Sequence, residues 1–527
     1  MSKVKKILAV VLSMAMVLSM SLTAFAANAK PAATDTAKAS VTGVTETGVT
    51  VTAYKIVEAN YNDQGFTGYS YVAATGLTKA VFANGTMSLT DADIVGLTSK
   101  TGSLASTPMT KDGDAYSATL AAGSYMVLVT GSGTTVYNPM LVSVGYKADA
   151  SGDSNELQTG AVNADTNWGL TTVDAYAKSS EPTVSKTIVG SGSGNDHGDD
   201  VAIGTAVPFE INTKLPSYSA QYTDPEFVVT DTLSAGLTAP AVADITVAAG
   251  TAVRDTDYTV AVANNVITVE FTSAFISANQ NLAVKINYSA TLNDNAKYNF
   301  DPNTNDVSIK YSNDPTDATS MTEKTDKTYS YTFAINAALN GESTETWNKI
   351  TNELLKTGEE REIQNEQGQT VTTTSLPGAT FTLTNTATNK VYTATSDNNG
   401  GLSFKGLDAG TYSLVETQAP TGYTLNSTPI PVVISATYNE NGTLNSYTII
   451  VAGEATSTYT ATYKTSTTAA PEIDTVTGDS SEYEIKNTKL SALPSTGGIG
   501  TTIFTIGGVI IMIGAAFLFF RSRKKEA

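Results

Sequence analysis

The sequence predicts an all-β protein built of stacked β-sandwich domains. Apolar residues recur at every second position, as in strands with one buried face, for example at Leu282, Val284, Ile286 and Tyr288. Clusters of glycine, asparagine and aspartate interrupt these runs, and only short segments, such as the one from Leu89 to Leu97, have a helical pattern. The 527 residues exceed what one hydrophobic core usually serves, so several domains are expected.

The amino terminus predicts export. Three lysines precede an apolar stretch from Ile7 to Leu18, and the small-residue site Ala24-Phe25-Ala26 follows, which is typical of a secretory signal peptide over residues 1–26. Exported proteins often use disulfides, but this chain has no cysteine. Any covalent staple must therefore use other chemistry.

Composition and turn residues divide the mature chain into three predicted domains, covering residues 27–178, 179–326 and 327–490. The formal net charge is −19, and removing the cationic ends makes the mature chain more acidic still. An acidic surface argues against nucleic acid or anionic membrane as partners. With one histidine and no cysteine, Ser-His-Asp or Cys-His catalysis is not expected as the main activity, and we predict a protein that is not an enzyme.

Residues 491–527 contain the most informative motif. An apolar run over residues 501–520 is long enough to cross a bilayer, and the basic tail over residues 521–525 resists translocation. A pentapeptide lies directly before the run, made of Leu493, Pro494, Ser495, Thr496 and Gly497. The whole arrangement resembles a sortase cell-wall sorting signal with a transmembrane helix. The resemblance implies cleavage between Thr496 and Gly497 and attachment to peptidoglycan.

The third domain contains three further motifs, with the sequences LPGATFTL at 376–383, NGGLSF at 399–404 and YSLVETQAPTGY at 412–423. Together they resemble a CnaB-type module of Gram-positive surface proteins, and the last resembles the pilin E-box. Segments 182–186, 229–233 and 311–315 resemble the isopeptide-forming second domain of fimbrial shaft pilins, and segments 120–125 and 137–142 resemble their first domain. The resemblance implies a sortase-assembled major pilin with tandem immunoglobulin-like domains of CnaA and CnaB type.

The resemblance also implies an acceptor lysine for polymerisation. Related pilins have a YPKN-like motif between the first and second domains, and Tyr176-Ala177-Lys178-Ser179 occupies that place without the proline and asparagine. Lys178 is therefore the expected inter-subunit lysine, and Lys186 is the nearest competitor.

In the second domain, the resemblance implies an internal isopeptide bond between Lys186 and Asn313. Burial lowers the pKa of a lysine and raises that of a carboxyl group, so an amine can attack an amide that an acid polarises. Asp231 is the expected acid, and Asn305 is the alternative to Asn313. An ordinary ion pair between Lys186 and Asp231 is the simpler interpretation.

In the third domain, Glu416 is the expected E-box acid and Asn487 the expected acceptor. The first-strand segment over residues 333–339 has no lysine, so Lys356 is the first choice and Lys349 the second. The absence of any bond is the third alternative.

The predicted function is that of the structural shaft subunit of a covalent cell-surface pilus. The implied partners are pilin-specific and housekeeping sortases, other copies of the chain, minor tip or basal pilins, and peptidoglycan. The alternative is a monomeric wall-anchored adhesin. No cofactor or metal is predicted, because the acidic loop around His197 lacks the EF-hand spacing and favours a solvated loop. The sequence does not identify an adhesion ligand, and it does not separate a shaft pilin from a basal one.

Overall fold

The computed structural model describes residues 30–83, 86–131, 133–148, 160–165, 168–339, 349–364, 367–464, 472–490 and 504–515. They divide into two compact units. One consists of the described residues up to Lys297 together with Asp301–Thr332 and Tyr438–Leu444, and the other of Tyr298–Phe300, Phe333–Thr437 and the described residues from Asn445 onward. Strands dominate both units, so the all-β prediction is confirmed.

Ten of the strands β1 to β14 form one sheet within the described residues, in the order β12-β10-β8-β2-β6-β7-β1-β13, with β3 pairing to both β2 and β11. The other four form the separate pairs β4-β5 and β9-β14. Inward residues of β1, such as Ala39 and Val41, pack with Val142 and Val144 of β10 in one of the buried clusters of this sheet. The strands are β1 (Thr36–Thr42), β2 (Thr50–Asn62), β3 (Gly65–Tyr71), β4 (Phe82–Ala83), β5 (Thr86–Met87), β6 (Ser106–Asp112), β7 (Ala115–Ala121), β8 (Gly123–Thr130), β9 (Val136–Tyr137), β10 (Met140–Ala148), β11 (Val162–Asn163), β12 (Trp168–Val173), β13 (Ala175–Tyr176) and β14 (Ser179–Ser180).

The second group forms a sandwich of two sheets, ordered β15-β17-β23-β19 and β16-β25-β24-β18-β22-β21, with β20 added beside β23. The predicted alternation is present, since Val284, Ile286 and Tyr288 of β23 are buried against the core between the sheets. The strands are β15 (Val184–Ile188), β16 (Gly198–Asp200), β17 (Ala206–Lys214), β18 (Phe227–Leu233), β19 (Leu237–Thr238), β20 (Thr246–Ala248), β21 (Tyr258–Ala263), β22 (Val266–Phe271), β23 (Ala283–Leu292), β24 (Asn303–Ser312) and β25 (Met321–Tyr331).

The third group forms a seven-stranded sheet ordered β30-β29-β32-β33-β34-β35-β36, with the smaller sheets β28-β27-β37 and β26-β31. Buried side chains from the large sheet include Phe381, Leu414 and Tyr447. The strands are β26 (Phe333–Ile335), β27 (Leu354–Gln364), β28 (Thr370–Ser375), β29 (Thr380–Asn385), β30 (Val391–Thr395), β31 (Phe404–Leu407), β32 (Gly410–Gln418), β33 (Ile430–Tyr438), β34 (Leu444–Val451), β35 (Ala455–Tyr463), β36 (Ile473–Asp479) and β37 (Tyr483–Lys486).

Helices are short. The predicted helical segment forms α1 (Asp91–Thr98), which begins with a capping box because Thr90 and Asp93 each bond the other's backbone amide. A second helix, α2 (Ser273–Ala278), begins after Thr272, and residues 504–515 are also helical. Within the described ranges, no helix is both long and apolar enough to cross a membrane. The predicted signal peptide lies outside the described residues, as do residues 501–503 and 516–520 of the predicted membrane segment.

Candidate functional site

The middle sandwich brings a lysine and an aspartate together in its core. Lys186 lies on β15 opposite Ile211 of β17, and Asp231 lies on β18 opposite Val307 of β24, so they belong to different sheets. Both side chains point inward by the alternation of their strands and are buried, with exposures of 0% for Lys186 and 1% for Asp231.

Four side chains meet at this point. Lys186 Nζ lies 2.7 Å from both carboxylate oxygens of Asp231 and 2.9 Å from the Tyr288 hydroxyl. Tyr288 donates to Asp231 Oδ2, and Asn305 Nδ2 donates to the Tyr288 hydroxyl over 2.7 Å. The Lys186 amine and the Asn305 amide thus both donate to the Tyr288 hydroxyl. The centroid of the Phe209 ring lies 5.0 Å from Lys186 Nζ.

Burial changes the titration of this lysine. Loss of solvation lowers the pKa of Lys186 from 10.5 to about 8, although the charge of Asp231 opposes the shift. At neutral pH a minor fraction of the Lys186 amine is therefore uncharged, and this form can act as a nucleophile.

Asn313, the expected partner of Lys186, makes its hydrogen bonds elsewhere in the structure. Asn313 follows the end of β24, donates through Nδ2 to the Gly133 carbonyl over 2.9 Å, and accepts from the Ser320 hydroxyl over 2.8 Å. These bonds hold its side chain away from the lysine. Asn305 lies opposite Leu233, two residues along the inward face from Asp231, so the pairing register brings Asn305 to the site instead.

The third domain contains a second site of the same composition. Lys356 lies on β27, which runs parallel to β37 with Lys356 opposite Ile485, and Asn487 follows directly after β37. Glu416 projects from β32 opposite Phe381 of β29. Lys356, Glu416 and Asn487 are all buried, with exposures of 0 to 1%.

The contacts at this second site are direct. Lys356 Nζ lies 2.7 Å from Asn487 Oδ1 and 3.7 Å from Glu416 Oε1. Asn487 Nδ2 donates to both Glu416 oxygens, at 2.8 and 3.1 Å, and the Asn426 amide donates to Oε2 at 2.8 Å. The acid therefore holds the amide with its carbonyl against the amine.

Burial also lowers the pKa of Lys356 from 10.5 to about 8, against the opposing charge of Glu416. Lys349, the second choice from the sequence, lies far more exposed and pairs with Asp479 at the surface. The structure thus brings Lys356 together with Glu416 and Asn487, and does not bring Lys349 to them.

Lys178 lies in the connection between β13 and β14 and is exposed. Its carbonyl accepts from the Asn138 amide over 3.0 Å, and the neighbouring Ala177 amide donates to the Thr42 carbonyl over 2.8 Å. These hydrogen bonds hold the main chain at Lys178 in place. Leu493, Pro494, Ser495, Thr496 and Gly497 lie outside the described residues.

In the acidic loop around His197, Asp199 bonds nearby backbone amides and Asp200 accepts from the Tyr438 hydroxyl. Asp199 accepts from the Gly192 and Ser193 amides at 3.1 and 3.0 Å, and His197 lies 3.4 Å from Asp326. Across the described part of the chain, no group of three or more acidic, histidine or cysteine side chains is arranged to hold a metal ion.

Comparison with known proteins adds four family matches. Residues 34–179 match the T6 antigen Ig-like domain, residues 203–315 the Cna-B-like domain of Gram-positive pilin backbone subunit 2, residues 363–448 a prealbumin-like fold domain, and residues 485–527 the LPXTG cell wall anchor motif. Each match falls within a separate part of the chain, and the last covers the predicted sorting signal.

Two relatives are similar over nearly the whole chain. The trypsin-resistant surface T6 protein of Streptococcus pyogenes is 26% identical, over 93% of this chain and 95% of that protein. The solved T6 backbone pilin of serotype M6 Streptococcus pyogenes superposes with a TM-score of 0.59 at 20% identity, covering 88% of this chain and 100% of that chain. This structural likeness supports the fold.

The anchor motif and the tandem sandwiches define a cell-wall-anchored surface protein of Gram-positive bacteria. The backbone-pilin domain narrows the class further, because together with the anchor motif it supports a sortase-assembled shaft pilin, a structural subunit of a surface pilus.

Proposed function

We propose that this pilin polymerises through an amide bond between the Thr496 carbonyl of one subunit and Lys178 Nζ of the next. A sortase thiolate breaks the Thr496–Gly497 peptide bond and retains the subunit as a thioester. The Lys178 amine then displaces the thiol. The same chemistry with a peptidoglycan amine attaches the finished fibre to the wall. The partners are therefore sortases, further copies of the chain, minor tip or basal pilins, and peptidoglycan.

The position of Lys178 supports its role as acceptor. It is exposed, unlike the competing Lys186, whose amine is enclosed by Asp231, Tyr288 and Phe209. A sortase-bound thioester is large, so only an exposed amine can reach it.

The second part of the proposal concerns internal bonds. Each buried lysine attacks an asparagine, Lys186 attacking Asn305 and Lys356 attacking Asn487, and one ammonia leaves per bond. Two buried sites support this best. In the third domain the Lys356 amine contacts the Asn487 amide beside Glu416, and in the middle domain the Lys186 amine, paired with Asp231, and the Asn305 amide both donate to the Tyr288 hydroxyl. Fixed positioning of this kind replaces a bimolecular encounter and can lower the barrier by roughly 7–11 kcal/mol.

Wall extracts boiled in SDS test the polymer. The wild-type chain should give a high-mass ladder, and Lys178→Arg should give monomer only, because it keeps the charge but not the nucleophile. Lys38→Ala, which changes another exposed lysine of the first domain, should keep the ladder. A ladder that survives Lys178→Arg but vanishes in Lys186→Ala would reverse the two roles, and a wild-type chain without a ladder would favour the monomeric adhesin.

Intact mass tests the internal bonds. The wild-type mature chain should be lighter than its sequence by two ammonias, and Asn305→Ala and Asn487→Ala should each be lighter by one. Asn313→Ala and Lys349→Ala are the matched controls and should both keep the two-ammonia deficit. A wild-type chain at its full sequence mass would refute both bonds.

A further inference from the structure

The Tyr288 hydroxyl occupies the centre of the middle-domain site. It accepts from Lys186 Nζ at 2.9 Å and from Asn305 Nδ2 at 2.7 Å, and it donates to Asp231 Oδ2. The ring is buried, with 4% exposure, and lies on β23 opposite Phe209. One hydroxyl thus contacts the nucleophile, the acid and the leaving nitrogen.

The third-domain site differs from the middle-domain site in how its acid contacts the asparagine amide. There Glu416 contacts the leaving nitrogen of Asn487 directly, at 2.8 and 3.1 Å. In the middle domain, the hydrogen bonds of the described residues join Asp231 to Lys186 and Tyr288, and none joins Asp231 to Asn305. A proton that passes between Asp231 and the amide nitrogen of Asn305 must therefore cross the Tyr288 hydroxyl.

We propose that Tyr288 is a catalytic residue of the middle domain that relays a proton from Asp231 to the leaving nitrogen of Asn305. This inference rests on the internal bond of the proposed function. It makes Tyr288 a fourth reacting side chain beside Lys186, Asp231 and Asn305, whereas the reaction proposed for the third domain uses three.

The steps balance as follows. The Lys186 ammonium gives one proton to the Asp231 carboxylate, and the neutral amine attacks Asn305 Cγ to form the Nζ–Cγ bond. Asp231 passes its proton to the Tyr288 oxygen while the hydroxyl proton of Tyr288 moves to Nδ2. Asp231 then takes a proton from the bonded Nζ, the Cγ–Nδ2 bond breaks, and ammonia leaves. Tyr288 ends unchanged and Asp231 ends protonated.

The surroundings of Tyr288 suit a relay. Burial and the neighbouring Asp231 raise the pKa of Tyr288 well above 10, so the phenol stays neutral and can receive one proton only as it gives up another. The hydroxyl uses its one donor and two acceptor sites, and all three partners are proposed reactants.

The test follows bond formation in time. Mature chain made by cell-free translation is chased, quenched in denaturant and digested, and the peptides joined at Lys186–Asn305 and Lys356–Asn487 are counted. Tyr288→Phe should slow the first bond by about 100-fold, the lower end of what proton transfer by a positioned side chain contributes. The Lys356–Asn487 bond in the same molecules should form at the wild-type rate and acts as the internal control.

Fluorinated tyrosine at position 288 separates chemistry from shape, because ring fluorines lower the phenol pKa and change its size little. The rate of the middle-domain bond should change with the number of fluorines, and its pH profile should move with them. An unchanged rate across the fluorinated series, or a wild-type rate in Tyr288→Phe, would overturn the relay. If wild type itself never forms the Lys186–Asn305 bond, the proposed function fails instead, so the two failures are distinguishable.

Discussion

Glu416→Gln is the substitution that tests the third-domain bond most sharply. The change keeps the size of the side chain and retains a carbonyl oxygen for the Asn426 amide and Asn487 Nδ2, but it removes the acid. Without that acid, neither the amide nor the amine can exchange protons with a carboxyl group. We therefore expect the chain to fold without forming the Lys356–Asn487 bond.

The cost can be worked from the spacing. Lys356 and Asn487 are 131 residues apart, and for a closed loop of this length the chain-entropy relation gives about 5 kcal/mol of stabilisation. For a domain of this size, each kcal/mol changes the melting temperature by roughly 2–4 °C. The transition of the third domain should therefore fall by roughly 10–20 °C.

Calorimetry of the mature chain, paired with intact mass, gives both readouts. The variant should regain the mass of one ammonia, while Lys349→Ala should keep the wild-type mass and transition. Asn487→Ala is a second unlinked variant that leaves Glu416 opposite Lys356, so it shows how much of the loss comes from an unpaired buried charge. A Glu416→Gln chain that still lacks two ammonias, or two unlinked variants that melt with wild type, would refute the reasoning.

Three further predictions concern the buried acids and lysines. Asp231→Ala should restore one ammonia of mass and lower the melting temperature of the middle domain, while the third-domain linked peptide remains; a retained middle-domain link would contradict the role of Asp231. In Asn487→Ala the pKa of Lys356 is about 8 when folded and higher when unfolded, so the unfolded chain holds more protons between these values and the unfolding free energy should rise with pH above about 8; a flat profile in urea titrations would argue against a buried amine. Burial raises the pKa of Glu353, so the stability that its protonated carboxyl contributes is fully present below the unfolded pKa and is lost as pH rises through the folded value. Glu353→Gln should therefore gain melting temperature relative to wild type between pH 4 and 7. A difference in melting temperature that stays the same across this range would contradict this.

Local sequence patterns predicted much of the fold. Alternation with a period of two correctly predicts β23, and a helical pattern correctly predicts α1. These elements depend on which residues face a core, and that information is local. Which strand pairs with which, and in what register, depends on contacts far apart in the chain.

The sites show the same limit. Motif resemblance suggests Glu416 and Asn487, the few remaining lysines suggest Lys356, and the three side chains lie together in the structure. The prediction of Asn313 rests on where β24 lies, but the sequence does not show that Asn305 is opposite Leu233 and bonds Tyr288. Tyr288 was visible only as an inward position of β23, since the partners of its hydroxyl come from β15, β18 and β24.

The position of Asn305 has a mechanical consequence for the fibre. A bond from Lys186 to Asn305 encloses the chain between them but leaves the rest of β24 and all of β25 outside the covalent ring. Tension that enters at β15 crosses the bond and then passes along the β24–β25 hairpin. Asn305 is opposite Thr328 in that hairpin, so pulling at Asn305 and at the end of β25 would open it from its free end, one pair at a time.

What resists this opening is β16, which lies inside the ring and pairs in parallel with the end of β25, from Gly198 opposite Tyr329 to Asp200 opposite Tyr331. Parallel pairing presents several hydrogen bonds to the load together, so the hairpin opens only after they yield. The segment then released, from Asp306 to Tyr331, extends by at most about 90 Å. With the proposed bonds formed, each middle domain would act as a short, recoverable spring in the fibre.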